Sequence, residues 1–145
     1  MIHQVMHSGN IKSHNSALVT KDDVQRILNH VNERHFTGLT LYSDGSFLTL
    51  YEGDRDLIEE SRLQYDNTDR YSKISTLFSR PVEKALFSDF KIGLGRYDTI
   101  ENIESLKSCF RLCPESLELV IPDALPNEFK VLTRTFARVN NLMAG

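Results

Sequence analysis

The chain is poor in cysteine: 145 residues contain only Cys109 and Cys113. Their spacing of four is not that of a zinc ribbon, and no second pair exists to complete a tetrahedral site, so no metal site is expected. Two thiols without a secretory leader fit a reducing, cytoplasmic setting. No apolar run approaches the roughly 20 residues that cross a bilayer. Met1-Ile2-His3-Gln4 lacks the basic start and apolar stretch of a signal peptide, so no membrane contact is expected. The positive surplus of a nucleic-acid binder is missing too, since the net charge is −3, and no direct contact with nucleic acid is expected. There is no internal repeat and no low-complexity segment. What remains is ordinary for one globular domain, with 40% hydrophobic and 26% charged residues.

The hydrophobic pattern predicts the elements. Met1 to His7 reads as a strand, and the polar stretch Ser8 to Ser16 as a loop. Thr20 with Asp23 approximates a capping box, and Val24, Ile27, Leu28 and Val31 follow at helical spacing, giving a helix over Lys21 to Glu33. Phe36 to Tyr42 and Phe47 to Glu52 flank Ser43-Asp44-Gly45-Ser46, whose Asp-Gly step suits a tight hairpin turn. A second helix follows Asp54 and ends near Tyr65. Strands are expected at Lys73 to Phe78 and within Ala85 to Leu94. Thr99, with Ile100, Ile103 and Leu106, reads as a third helix. Phe129, Leu132, Phe136, Val139 and Met143 make Asn127 to Met143 the most periodic segment of all.

This order predicts an α+β fold, a ferredoxin-like βαββαβ sheet with an extra fifth strand and two C-terminal helices. Phe47, Thr49 and Tyr51 point one way along their strand, and Leu48 and Leu50 the other. Neither face is consistently polar, so helices are expected on both: the first two on one side and the last two on the other. Residues 1–97 are read as the sheet domain and 98–145 as a helical extension packed on it in the same folding unit.

Four blocks carry a resemblance to a known family. They are Phe36-Thr37-Gly38-Leu39-Thr40-Leu41-Tyr42, Phe47-Leu48-Thr49-Leu50-Tyr51-Glu52-Gly53, Asp69-Arg70-Tyr71, and Phe87-Ser88-Asp89-Phe90-Lys91-Ile92-Gly93. In this order they resemble BLUF domains, the flavin-based blue-light sensors, over about residues 1 to 95. The family pattern is Ile-Thr-Gly-Leu-Leu-X-Tyr, Phe-Leu-Gln-X-Leu-Glu-Gly, Asp-X-Arg-His and Phe-X-X-Trp-X-Met-Gly. The resemblance implies a flavin under the first two helices. A first-strand Tyr and a third-strand Gln relay hydrogen bonds to its ring, and a first-helix Asn holds the ring's polar edge. Aligned on Ser8, the Tyr position is Met6. The Gln position is Thr49. The Asn position is Val31, with Asn32 and Asn29 close by. The Trp and Met of the fifth strand become Phe90 and Ile92, and Arg70 is kept where the family contacts the cofactor's phosphate side.

Buried flavin carbonyl and N–H groups left unpaired cost about 1–3 kcal/mol each. Met6 and Val31 offer no partner, and Thr49 is too short to bridge as a Gln does. The leading expectation is therefore a non-enzymatic regulatory or adaptor protein on a degenerate BLUF fold. It carries no cofactor, with FAD the one implied if any is bound, and these positions are filled as core. Protein partners are expected, and self-association through a sheet face or the last helices suits the family. Lys130, Arg134 and Arg138 form a stripe that would dock an acidic partner. The second reading is an FAD-binding photoreceptor with an altered relay. The third is an acylphosphatase-like hydrolase, whose phosphate cradle would be the Ser8–Ser16 loop. Histidines 3, 7, 14, 30 and 35 read as scattered: His3 and His7 lie about 13 Å apart along a strand, too far to share a metal. No catalytic residue is assigned.

Overall fold

The structure is a computed structural model that describes residues 2–11, 21–43, 45–66, 71–95 and 108–144. Ten elements follow in chain order: β1 (Ile2–Ile11), α1 (Lys21–Glu33), β2 (Thr37–Ser43), β3 (Ser46–Gly53), α2 (Arg55–Asp66), β4 (Tyr71–Val82), β5 (Phe90–Leu94), β6 (Cys109–Arg111), α3 (Pro114–Val120) and α4 (Asn127–Ala144). They build one six-stranded sheet of order β4-β1-β3-β2-β5-β6. The first four strands have the ferredoxin-like order, and β5 and β6 extend it in parallel beyond β2.

The alternation seen in the sequence sorts the core into two layers. Val5, Phe47, Tyr51, Phe90 and Ile92 pack beneath Val24, Ile27 and Val31 of α1 and Ile58 of α2. Met6, Leu39, Leu41, Leu48 and Leu50 pack beneath Leu117 of α3 and Phe129 and Ala137 of α4. The sheet is thus covered on both sides, and burial on both faces is what permits its strands to be apolar throughout.

Local chemistry explains most boundaries. Asp54 caps α2, its Oδ1 accepting from Leu57 N at 3.0 Å. Gly45 takes φ 83° at the β2–β3 hairpin, which a glycine adopts without strain. Cys113 caps α3 with its sulfur, which accepts from Ser116 N at 3.4 Å, while Ser116 Oγ accepts from Cys113 N at 3.0 Å.

Several expectations need correction. β1 continues to Ile11, so Ser8, Gly9 and Asn10 are not loop: they pair with Leu48, Phe47 and Ser46 of β3. Their backbone groups are committed to the ladder, which removes the start of the supposed phosphate cradle. β4 is twelve residues long and runs through Pro81, which an edge strand tolerates. β6 and α3 were not foreseen. The helix expected from Thr99 and the turn bearing Arg70 lie outside the described residues.

Candidate functional site

The face beneath α1 and α2 is a set of rows that the sheet register fixes. The middle row runs His7, Thr49, Thr40, Ile92 across β1, β3, β2 and β5. One row along lie Val5, Tyr51, Gly38 and Phe90. On the other side Phe47 pairs with Tyr42, which pairs with Leu94. Three polar side chains and Ile92 therefore lie between two rows bearing aromatic rings.

This register separates one of the predicted positions, Met6, from the others. Met6 lies in the opposite layer, packed with residues covered by α3 and α4, because side chains alternate along β1. The β1 side chain beside Thr49 is His7, 2% exposed. On α1, Val31 points into the core and Asn32 is exposed. The side chain turned toward α2 is His30, whose Nε2 lies 2.9 Å from Ser61 Oγ. Ser61 is fully buried and its hydroxyl donates to Leu57 O at 3.0 Å, so His30 Nε2–H is the donor between the helices. Burial, then the positive charge of Arg34, holds the His30 pKa below its ordinary value and favours the neutral ring. Thr49, Phe90 and Ile92 lie on the expected face. Ile92 is fully buried, and Thr49 Oγ1 is 2.6 Å from Thr40 Oγ1.

Aromatic rings occupy the layer between helices and sheet. Tyr51, 2% exposed, stacks on Phe90 with centroids 5.8 Å apart and an interplanar angle of 26°. Its ring is 5.0 Å from that of Phe36 and meets His7 edge-on at 6.1 Å. Gly38 is the residue between Tyr51 and Phe90 in the row, and it takes φ 136°. A Cβ there would lie 1.9 Å from Leu50 O.

A cleft of about 640 Å³ opens on the other flank of α1, where Val31, Asn32, Phe36, Thr37, Asp89 and Phe90 are among its lining residues, so two of the layer's rings also border it. It gathers Val31, Asn32 and Phe90, but not Met6, Thr49 or Ile92, and no described residue of α2 lines it.

On the opposite face a carboxylate network ties the sheet to α4. Glu52, 1% exposed, accepts from Gln4 Nε2 (2.8 Å), Thr37 Oγ1 (2.8 Å), Leu86 N (2.8 Å) and Phe87 N (2.9 Å). Gln4 Oε1 in turn accepts from Arg80 Nε and a terminal Arg80 nitrogen at 3.1 and 3.0 Å. The Arg80 guanidinium lies 5.4 Å from the centroid of Phe129 on α4. Sequence reasoning missed this network; the signal was polar Gln4 and Glu52 within otherwise apolar strands. Of the expected docking stripe, Lys130 Nζ donates to Asp123 O at 2.6 Å. Arg134 grips Glu118 of α3 at 2.6 and 3.1 Å, and Arg138 is exposed.

Comparison with known proteins decides the family. The profile of BLUF, sensors of blue-light using FAD, matches residues 6–93, more than half of the chain. The chain belongs to the BLUF family. No curated protein matches the sequence. Among solved structures, BlrP1 from Klebsiella pneumoniae, described with FMN and cyclic diGMP, superposes with a TM-score of 0.66 at 13% identity. That match covers 97% of this chain and 36% of BlrP1. BlsA in its photo-activated state gives 0.59 at 16% identity, over 94% of each chain. A bacterial light-regulated adenylyl cyclase gives 0.56 at 21%, over 74% of this chain and 32% of the cyclase. The chain thus spans about a third of the length of BlrP1 and of the cyclase; at these identities the likeness is one of fold.

The BLUF family binds flavin, so the layer can be tested for fit. A planar ring between α1 and α2 must part the two helices, and here they are joined by the His30–Ser61 hydrogen bond over aromatic packing. The third-strand position bears Thr49, whose hydroxyl is already bonded to Thr40. The residues present do not fit a flavin held by a Tyr–Gln relay.

Proposed function

We propose that this BLUF protein is a non-enzymatic regulator or adaptor in the cytoplasm, acting through protein–protein contacts without the family's light chemistry. The observation that carries this is the sealed α1/α2 layer, with Tyr51, Phe36 and Phe90 packed together and His30 bonded to Ser61. A protein whose cofactor space is filled by its own side chains keeps the fold and its surfaces but has no chromophore to excite. The surface assigned to a protein partner is the outer side of α3 and α4. There Leu119, Val131 and Val139 are exposed alongside Arg138. Lys130 and Arg134 brace this region before they offer charge to an acidic partner.

One observation favours a second reading, an FAD-binding photoreceptor with an altered relay. His7, His30 and Thr49 border the layer, and all three side chains can hydrogen bond. An absorption spectrum after refolding with excess FAD separates the two. A colourless protein supports the adaptor; a bound-flavin band that shifts on illumination supports the photoreceptor and ends the first reading. The charged stripe is tested by pull-down with Lys130, Arg134 and Arg138 each replaced by Glu. Equal recovery of partners by both forms would remove it from the interface.

A further inference from the structure

We infer that Tyr51, assisted by Phe36, is the residue that excludes a planar cofactor from the α1/α2 layer of this chain. This rests on the reading that the layer does not take up FAD, and it names the side chains responsible. The middle row beneath the helices, His7, Thr49, Thr40 and Ile92, is polar over its first three members, and it lies beside the row of Tyr51, Gly38 and Phe90. A flat ring set on the middle row would have to lie beside the Tyr51 ring, which leans across Gly38 to stack on Phe90 at 5.8 Å. Phe36 closes the same end, 5.0 Å from Tyr51, and itself contacts His30, with ring centroids 6.3 Å apart. Tyr51 leads the fully buried side chains by volume, and it belongs to the core beneath α1 and α2.

Both residues depart from the family pattern in one direction. Phe36 stands where that pattern has Ile, and Tyr51 where it has Leu. Each change enlarges the side chain, and the two rings touch. Close packing leaves no second occupant for volume filled in this way. Smaller side chains at both positions would leave a space of ring shape, bordered by the imidazoles of His7 and His30 and the hydroxyls of Thr49 and Ser61. These are groups suited to the carbonyl and N–H edge of a flat heteroaromatic ring.

The test measures uptake of riboflavin and FAD by equilibrium dialysis, with quenching of flavin fluorescence as a second readout. The chains compared are the wild type, Tyr51→Phe, Tyr51→Leu and Tyr51→Leu/Phe36→Ile. Folding of each is checked by circular dichroism and a cooperative urea transition. Wild type and Tyr51→Phe should exclude both flavins, because each keeps the ring. Tyr51→Leu should bind riboflavin at least tenfold more tightly than wild type, and the double variant more tightly still. Should the double variant fail to fold, the single variant decides alone. A folded Tyr51→Leu that excludes flavin as wild type does would overturn the inference and leave the proposed function standing. Uptake by Tyr51→Phe equal to that by Tyr51→Leu would overturn it as well. Flavin uptake by the wild type would instead defeat the proposed function itself.

Discussion

Single residues show where sequence legibility stops. The motif blocks place strands well, yet a strand's side chains change face at every step, so an offset of one residue reverses an assignment. Aligning on Ser8 selects Met6, whereas the pairing of His7 with Thr49 puts His7 in the layer. On α1 the 100° step per residue separates Val31, His30 and Asn32 onto three directions, and only the position of α2 reveals that His30 meets it. Glu52 was legible as part of a motif but not as a hub, because its four donors come from three separate stretches of chain. Glu52→Ala strands those donors, of which Gln4 Nε2 and Phe87 N are buried. The expected loss is about 3 kcal/mol or more, since each buried donor left unpaired costs about 1–3 kcal/mol, and urea denaturation measures it. Cys109 offers a chemical check. Burial pushes its thiol pKa up to about 11, so alkylation at pH 8 should be slow until the chain is unfolded.

At the scale of elements, long periodic segments were readable and short ones were not. α1 and α4 announce themselves by apolar spacing. β6 has three residues, and α3 has seven and a sulfur cap, too little pattern to separate either from a loop. Replacing that cap tests its chemistry: Cys113→Ser supplies a better acceptor and should stabilise by about 0.5–1 kcal/mol, read as a shift in the urea midpoint. The pairing of β4 with β1 is irregular. Its register with β1 shifts between Met6 and His7 and again between Ser8 and Asn10, and Lys73 takes φ 54°. These bulges, with Lys73 and Pro81, blunt an edge that would otherwise template another strand. Lys73→Gly relieves the positive φ and should raise stability by about 0.5–1 kcal/mol, provided the edge stays monomeric by light scattering. The α1–α2 contact should respond to acid. The folded pKa of His30 lies below the unfolded 6.5, so its contribution is complete above that value. As pH falls through 6.5 toward the folded pKa, the unfolded chain gains the proton first and stability is lost. The melting temperature of wild type should therefore drop more between pH 7 and pH 5 than that of His30→Gln.

At the scale of the molecule, one sheet separates two cores of different character. The α3/α4 side carries the Glu52–Gln4–Arg80 chain, which meets α4 at Phe129, and the Arg134–Glu118 clamp joins the two helices themselves. The α1/α2 side carries aromatic packing, with Tyr51 against Phe36 and Phe90. The two-sided sheet was legible because both faces of β3 are apolar; the sealing of one layer was not, because it depends on which rings meet across Gly38. No described helix is long and apolar enough to cross a membrane. The most direct measurement is the visible absorption spectrum of the wild-type chain, purified and then refolded with excess FAD, before and after blue illumination. The expected result is a colourless protein with an unchanged melting temperature. A stoichiometric flavin band that shifts under light and recovers in the dark would contradict the sealed layer.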